Sequence, residues 1–365
     1  MKLYDWQKIT LNKLKLGKNI SINAPTGGGK TYPGLLYIKE LFLNLKNDEH
    51  IFWLVPYKSL ANDKYNELVN IFGKNNVGIL TGDYKHNTKA KIIVSIYESF
   101  KNRISNYENI KFVVCDEIHT IKERDNIDLT FKLIREYKIQ YYAITATFKN
   151  LKDYCYDSIY IQVDDNFSIK KKIIRHPKYI LNNKTFILHL IRTTNYQILV
   201  FNFSISKIRK QIKELIKIMN GTDLYNDKTV IENIEDDLLR EAIQYKIAFY
   251  TSDLSNNDKL IIQKLFDKKV VRCILCTDSI ATGVNLPCDV IILTDNKKFN
   301  NNKIDYLDEN LLIQLYGRAG RKGKSKDAII YIPDDSPDYF NNPKQQNINF
   351  EGRFLNKFKR LLKLL

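Results

Sequence analysis

Gly27-Gly28-Gly29-Lys30-Thr31 is the part of this 365-residue chain whose chemistry is clearest from residue types and spacing. It follows the short apolar run Asn19-Ile20-Ser21-Ile22-Asn23 and then Ala24-Pro25-Thr26. Consecutive glycines let a backbone turn its N–H groups onto an anion, and a helix starting there would add its positive N-terminus. In the phosphate-loop pattern, Lys30 pairs with the β- and γ-phosphates of a nucleotide and Thr31 puts a hydroxyl on Mg²⁺. Ala24 stands where the strict pattern has its first glycine. Ala24, Thr26, Gly27, Gly28, Gly29, Lys30 and Thr31 are therefore the expected nucleotide-binding residues. Pro33 fits the first turn of a following helix, where its missing N–H would have no intrahelical partner.

Hydrolysis of a bound triphosphate needs two acids at the end of a neighbouring strand. Phe112-Val113-Val114-Cys115 runs into Asp116-Glu117-Ile118-His119. Asp116, with Thr31, is the expected Mg²⁺ holder, and Glu117 is the expected base for the attacking water. Far along the chain, Gly317-Arg318-Ala319-Gly320-Arg321 carries two arginines three apart, with Gln314 one turn earlier. Such arginines suit the charge that develops on a transferring phosphoryl group, and Gln314 suits a phosphate oxygen or the water. The expected ligands are a nucleoside triphosphate and Mg²⁺. Cys273 and Cys276 form a C-x-x-C, but inside an apolar strand they would face opposite sides and could not share a metal.

These residues need a scaffold, and the pattern is α/β: short apolar runs alternate with longer amphipathic segments. Strands are predicted at 19–23, 51–55, 91–94, 112–115, 141–145 and 159–163, with helices at 35–45 and 59–71. The pattern restarts at 197–201 and continues through 247–250, 270–276, 290–294 and 328–332. The reading is two domains, 1–167 and 181–335, each a mostly parallel sheet with helices on both faces. Between them, 168–180 holds Lys170, Lys171, Lys172 and Arg175 and reads as a basic connector. The tail, 336–365, carries Leu355, Phe358, Leu361, Leu362 and Leu365 at helical spacing among basic residues, and reads as a basic amphipathic helix.

The whole constellation resembles the superfamily 2 helicases of the DExH type, nearest to archaeal repair helicases and exosome-associated RNA helicases. That resemblance implies two RecA-like domains. Tyr4-Asp5-Trp6-Gln7 is similar to the Q motif, which implies that Gln7 reads the adenine edge. Ala24–Thr31 matches motif I, Val55–Ala61 motif Ia, Ile93–Glu98 motif Ib, Asp116–His119 motif II and Thr145-Ala146-Thr147 motif III. Val200–Ser204 matches motif IV, Thr277–Pro287 motif V and Gln314–Arg321 motif VI. By resemblance, Arg318 and Arg321 are arginine fingers, Gly283 is a nucleotide contact, and His119, Thr145 and Thr147 couple the sites. Ser59, Ser95, Ser204 and Thr277 are candidate phosphate contacts of a nucleic acid, binding without reading bases.

The implied activity is an ATP-dependent helicase or translocase on single-stranded or tailed duplex DNA or RNA, moving 3′ to 5′. Two alternatives stay open: the helicase subunit of a CRISPR interference complex with a nuclease partner, and an ATP-gated nucleic-acid clamp that never unwinds. The chain departs from the nearest relatives at Phe249–Leu254, where they carry a His-His-Ala-Gly-Leu type segment. Asp295 to Tyr306 reads as a short polar hairpin with Asn300-Asn301-Asn302 at its tip; in the repair enzymes such a hairpin separates strands. The start of the chain lacks an apolar signal core, and no run approaches membrane-spanning length. Five cysteines, an odd number, read as reduced thiols, so the expected compartment is the cytoplasm.

Lys plus Arg number 58 against 41 Asp plus Glu, a net charge of +17, which favours a polyanion partner. If a single strand lies on about five phosphates, log affinity should fall with log salt at a slope of about −3 to −4. Titrations of a labelled oligonucleotide at several salt concentrations measure that slope. A flat response would reduce the charge to a solvated surface.

Overall fold

The computed structural model describes residues 3–25, 28–82, 84–120, 124–146, 148, 150–163, 171–219, 224–278, 280, 286–300, 303–320 and 328–344. They form two compact units: the first holds the described residues up to Ala24 and from Lys30 to Val163, and the second holds Pro25, Gly28 and Gly29 with the described residues from 171 to Lys344. Each unit has its own sheet, covered by helices. No described helix is long and apolar enough to cross a membrane.

The first sheet has eight strands: β1 (Ile20–Asn23), β2 (Glu49–Val55), β3 (Val77–Leu80), β4 (Lys85–His86), β5 (Ile92–Ile96), β6 (Asn109–Cys115), β7 (Gln140–Thr145) and β8 (Ile159–Gln162). Their order is β4-β3-β5-β2-β6-β7-β1-β8, and only the β3–β4 pair is antiparallel. β1, β5 and the ends of β2, β6 and β7 are continuously buried. This is what a parallel strand covered on both faces requires, and why these runs are apolar without alternation. Because β1, β7 and β6 are parallel neighbours, the loops that leave their C-terminal ends all emerge at one edge. Asn23 lies level with Thr145, and Cys115 level with Ala143, so the three loops start within one or two residues of the same height.

The second sheet is all parallel, in the order β11-β12-β10-β13-β16-β9. Its strands are β9 (Lys172–His176), β10 (Ile198–Phe201), β11 (Ile247–Tyr250), β12 (Cys273–Cys276), β13 (Val290–Leu293) and β16 (Ile329–Pro333). The structure corrects the connector: its Lys172–His176 stretch, with Lys172 and Arg175, is β9, paired with β16 from Lys172↔Ile329 to His176↔Pro333. As an edge strand it is only partly covered, so it can carry Lys172, Arg175 and His176 and lacks the continuous apolar run of a central strand. β12 holds Cys273 and Cys276, both buried and unpaired, and burial pushes the Cys273 thiol up to about 12. The hairpin is present as β14 (Lys297–Asn300) against β15 (Lys303–Tyr306). It is not polar throughout: Phe299 and Ile304 face each other across the ladder, 71% and 69% exposed. At its base the buried Asn296 donates to Asp335 Oδ1 at 2.9 Å, and its carbonyl accepts the Leu307 N–H. The tail from residue 345 lies outside the described residues.

Helices pack their apolar stripe on these sheets. Ile205–Ile218 buries Ile208, Ile212, Leu215 and Ile216, and starts at Ser204, whose side chain caps the Lys207 N–H. Tyr32–Asn44 follows the glycine loop and buries Leu35, Tyr37 and Ile38. Its Gly34 lies on β7: a Cβ there would sit 2.7 Å from Tyr142 Cδ1. Tyr142 is fully buried and its hydroxyl donates to the Lys30 carbonyl at 2.6 Å, so the ring has no free direction to move. In an ordinary helix Gly→Ala gains up to about 1 kcal/mol. Here Gly34→Ala should instead destabilise the chain by about 1–3 kcal/mol, the usual range for overpacking. Urea denaturation decides it, and a variant as stable as the wild type would show that the ring yields.

Candidate active site

β1 delivers the chain to the phosphate loop. Ala24 is 1% exposed, and its N–H donates to the Thr145 carbonyl at 3.1 Å, prolonging the β1–β7 ladder by one residue. A position that continues the strand needs no glycine, which is why alanine fits there. The turn comes later. Gly28 N–H closes onto the Pro25 carbonyl at 3.0 Å, and an added Cβ on Gly28 would come within 3.0 Å of that same oxygen. Gly29 has φ +81°, a backbone that other residues adopt only with strain. Lys30 is then buried, and Thr31 precedes the helix Tyr32–Asn44, whose first N–H groups have no intrahelical acceptor. Thr26 and Gly27 lie outside the described residues.

The acids stand at the same edge. Asp116 N–H donates to the Leu54 carbonyl, and one Asp116 carboxylate oxygen accepts the Glu117 N–H at 3.0 Å. Desolvation and then the neighbouring Glu117 charge push the Asp116 pKa up to about 6, against the pull of Lys64 and Lys30. Lys64 lies over the buried Trp53 ring at 4.4 Å and is ion-paired to Glu67. Glu117 takes φ +51°, a left-handed conformation unusual for a side-chain-bearing residue. Thr120 holds that turn, its hydroxyl and N–H both donating to the Glu117 carbonyl, at 2.8 and 3.2 Å. His119 Nδ1 lies 3.3 Å from Glu117 Oε2 and 3.1 Å from Thr145 Oγ1, so the structure brings His119, Glu117 and Thr145 together. Burial keeps the His119 pKa below its ordinary value, favouring the neutral ring. Thr147 lies outside the described residues.

In the second unit, Gln314 is half-buried on the helix Glu309–Tyr316, and Arg318 follows its end. The glycine-arginine turn is pinned by backbone. Cys288 N–H donates to the Arg318 carbonyl at 2.9 Å, and Gly320, at φ +78°, donates to the Cys288 carbonyl at 2.8 Å. Arg321 and Gly283 lie outside the described residues.

Comparison with known proteins agrees with this arrangement. Residues 4–154 match the DEAD/DEAH box helicase family, and residues 182–323 match the helicase conserved C-terminal domain. The chain belongs to the superfamily 2 DExH helicases. Among its relatives, the ATP-dependent DNA helicase Hel308 of Thermoplasma acidophilum is 28% identical over 96% of this chain and 56% of its own length. The ATP-dependent DNA helicase MER3 of Saccharomyces cerevisiae is 29% identical, over 87% of this chain and 30% of that protein. The exosome RNA helicase MTR4 of Homo sapiens is 21% identical, over 90% and 38%. The chain thus spans about half or less of the length of these relatives.

For a DExH helicase, several residues named from the sequence acquire a definite setting. Gln7 is buried, and its side-chain oxygen accepts the Tyr4 N–H at 3.0 Å, shaping the first turn of the helix Asp5–Lys15. Ser59 is exposed in the first turn of Lys58–Phe72, where a phosphate could reach it. Ser204 is a helix cap, 3.0 Å from the Ser206 hydroxyl. Thr277 follows β12, its N–H donating to the Tyr250 carbonyl. Ser95 is corrected: it lies inside β5, fully buried, with its hydroxyl 2.9 and 3.0 Å from the carbonyls of Leu80 and Ile96. Both faces of β5 are covered, so that side chain presents no group to a nucleic acid. Thr120, Lys64 and Tyr142 were missed, since none carries a motif signal; Lys64 and Tyr142 act through tertiary neighbours, and Thr120 acts through a left-handed turn that the sequence does not announce.

The raised Asp116 pKa makes a stability prediction. The folded chain binds the Asp116 proton more tightly (pKa about 6) than the unfolded chain does (about 3.9). Its contribution is therefore most favourable below about pH 4 and is lost as pH rises through about 6. In protein free of nucleotide and metal, Asp116→Asn should raise stability by about 1–2 kcal/mol near pH 8 and bring no gain near pH 4. Thermal melts at the two pH values test this, and an equal effect at both would refute the assigned cause.

Proposed function

We propose that this chain hydrolyses ATP and uses the cycle to move along single-stranded nucleic acid and to part the strands of a tailed duplex. The observation that carries the reading is the acid turn. Glu117 is held in a left-handed backbone beside Asp116, at the sheet edge where the Lys30 loop also emerges. Lys30 and the N–H groups of the loop bind the triphosphate, and Gln7 stands for the adenine edge. Glu117 takes the proton of the attacking water, and His119 with Thr145 orients its carboxylate.

A divalent cation fits the donor set. Asp116 is a carboxylate that its surroundings make reluctant to ionise without a nearby positive charge, and Thr31 offers a hydroxyl. No group of three or more His, Cys, Asp or Glu that could hold a metal occurs among the described residues. Mg²⁺ would therefore be held jointly with the nucleotide's own phosphates, the usual mode for this ion. When bound, it would neutralise charge building on the phosphates. Gln314, Arg318 and Arg321 supply further polar and cationic groups by the same reading, with Gly283 on the nucleotide and Thr147 in coupling.

Strand parting rests on the hairpin β14–β15, whose exposed Phe299 and Ile304, one ladder step before the Asn300–Lys303 pair, give an apolar pair on which a base can stack. Two of the relatives carry DNA in their names and one RNA, so the substrate is taken as either. Glu117→Gln should leave ATP affinity nearly unchanged and lower kcat by about 10²–10⁴-fold, the usual contribution of a general base. Arg318→Ala should lower kcat by about 10³-fold with binding retained. Wild-type ATPase measured with single-stranded DNA, single-stranded RNA and neither, alongside strand release from a tailed duplex, tests the whole reading. Slow, unstimulated hydrolysis without release would make the chain an ATP-gated clamp.

A further inference from the structure

Arg124 takes no part in any motif, yet it ties three parts of the first unit together. It opens the helix Arg124–Glu136, and its side chain is largely buried. Nη1 donates to the Ile118 carbonyl, inside the acid turn, at 3.0 Å. Nε donates to Asp128 Oδ1 at 2.8 Å, and Nη2 lies 2.7 Å from that same oxygen. The guanidinium plane also lies over Tyr154, 4.5 Å from its ring centre, and 5.7 Å from that of Phe148. Tyr154 returns a hydrogen bond to Asp128 Oδ1 at 2.8 Å. Phe148 follows the Thr145–Thr147 segment, and its carbonyl accepts from Asn23 at the end of β1 at 3.0 Å.

The acid turn, the segment after β7 and the root of the phosphate loop thus meet through one guanidinium and its neighbours. Glu117 needs such support. Its left-handed backbone costs about 1–2 kcal/mol and persists only where the surroundings over-determine it. Thr120 closes the turn on the Glu117 carbonyl from one side, and Arg124 holds the adjoining Ile118 carbonyl from the other.

We propose that Arg124 is a positioning residue for hydrolysis: it holds the 116–120 turn against the Phe148–Tyr154 wall so that Glu117 keeps the backbone its role requires. The proposal rests on the ATPase reading for its kinetic consequence, though not for its structural one. Lysine at 124 would keep the charge and lose the planar fork, which alone can bond Ile118 and Asp128 and stack on Tyr154 together.

Two measurements on the full chain decide the matter. In Arg124→Lys, kcat for ATP should fall about tenfold or more while KM changes by less than about threefold, the pattern of a group that acts after binding. Hydrogen exchange of the Ile118 and Thr120 amides should speed up by about tenfold, with the amides of β2 and β6 unchanged, since local opening is read amide by amide. Tyr154→Phe, which keeps the ring and removes one bond to Asp128, is the milder companion should the lysine variant fold poorly. It should move the same two amides in the same direction. A kcat within about twofold of wild type, or faster exchange spread equally over β2 and β6, would overturn the proposal. A wild type without nucleic-acid-stimulated ATPase would sink the functional reading instead, and the exchange pattern would still decide the role of Arg124.

Discussion

Two adjacent carboxylates at the end of a covered strand repel each other and resist losing both protons, and the surroundings of Asp116 and Glu117 are arranged around that conflict. Lys30 and Lys64 act on Asp116 as cations, and the Glu117 N–H donates to its carboxylate. Glu117 is carried away from Asp116 by a left-handed backbone turn and faces His119. Tyr97 fixes the Asp116 carbonyl with a bond of 2.8 Å, so the turn begins from a held point. Carboxylate charge that remains imperfectly compensated here is what a bound cation would offset. The destabilisation is thus the counterpart of binding capacity, a relation common at functional sites.

The sheet makes that geometry affordable in the sense of chain length. Parallel strands place all their C-terminal ends on one edge, so residues more than a hundred positions apart meet without long loops. Asn23 and Thr145 are level in the β1–β7 ladder, and β6 beyond β7 ends near the same height. Gly34 and Tyr142 then set the distance between the helix that follows the phosphate loop and the sheet beneath it. A packing contact in the core therefore bears on the site through the Lys30 carbonyl.

The second unit solves a different local problem with the same architecture. Its glycine-arginine turn leaves a helix and must hold its backbone still while carrying a long, flexible side chain. Cys288 does this through paired backbone bonds to Arg318 and Gly320, making an isolated parallel bridge to Ala319. The glycine at 320 is required by its positive φ, which accounts for one half of the Gly-Arg-x-Gly-Arg spacing in terms of backbone alone. The hairpin is anchored comparably at Asn296, leaving its apolar pair exposed.

The amino-acid sequence by itself determined the central strands, the phosphate loop and the acid pair. A strand covered on both faces must be a continuous apolar run, and anion chemistry needs glycines, a lysine and a hydroxyl at fixed spacing, so both leave a local signature. Two of the four edge strands leave none: β4 is two exposed residues, and β9 is hidden beside lysines because only part of its surface is covered, whereas the more apolar edge strands β8 and β11 were legible. Which way a side chain points was likewise decided only in three dimensions. Ser95 is enclosed because both faces of β5 are covered, Ala24 replaces a glycine because the strand ladder continues through it, and Glu117 adopts a conformation that no composition rule selects. Arg124, in a run of mixed charge, looks from its neighbours like solvated surface. Tertiary structure makes it a buried link, because its aromatic platform of Tyr154 and Phe148 lies on segments that only folding brings to it, while its partners Ile118 and Asp128 are near in sequence.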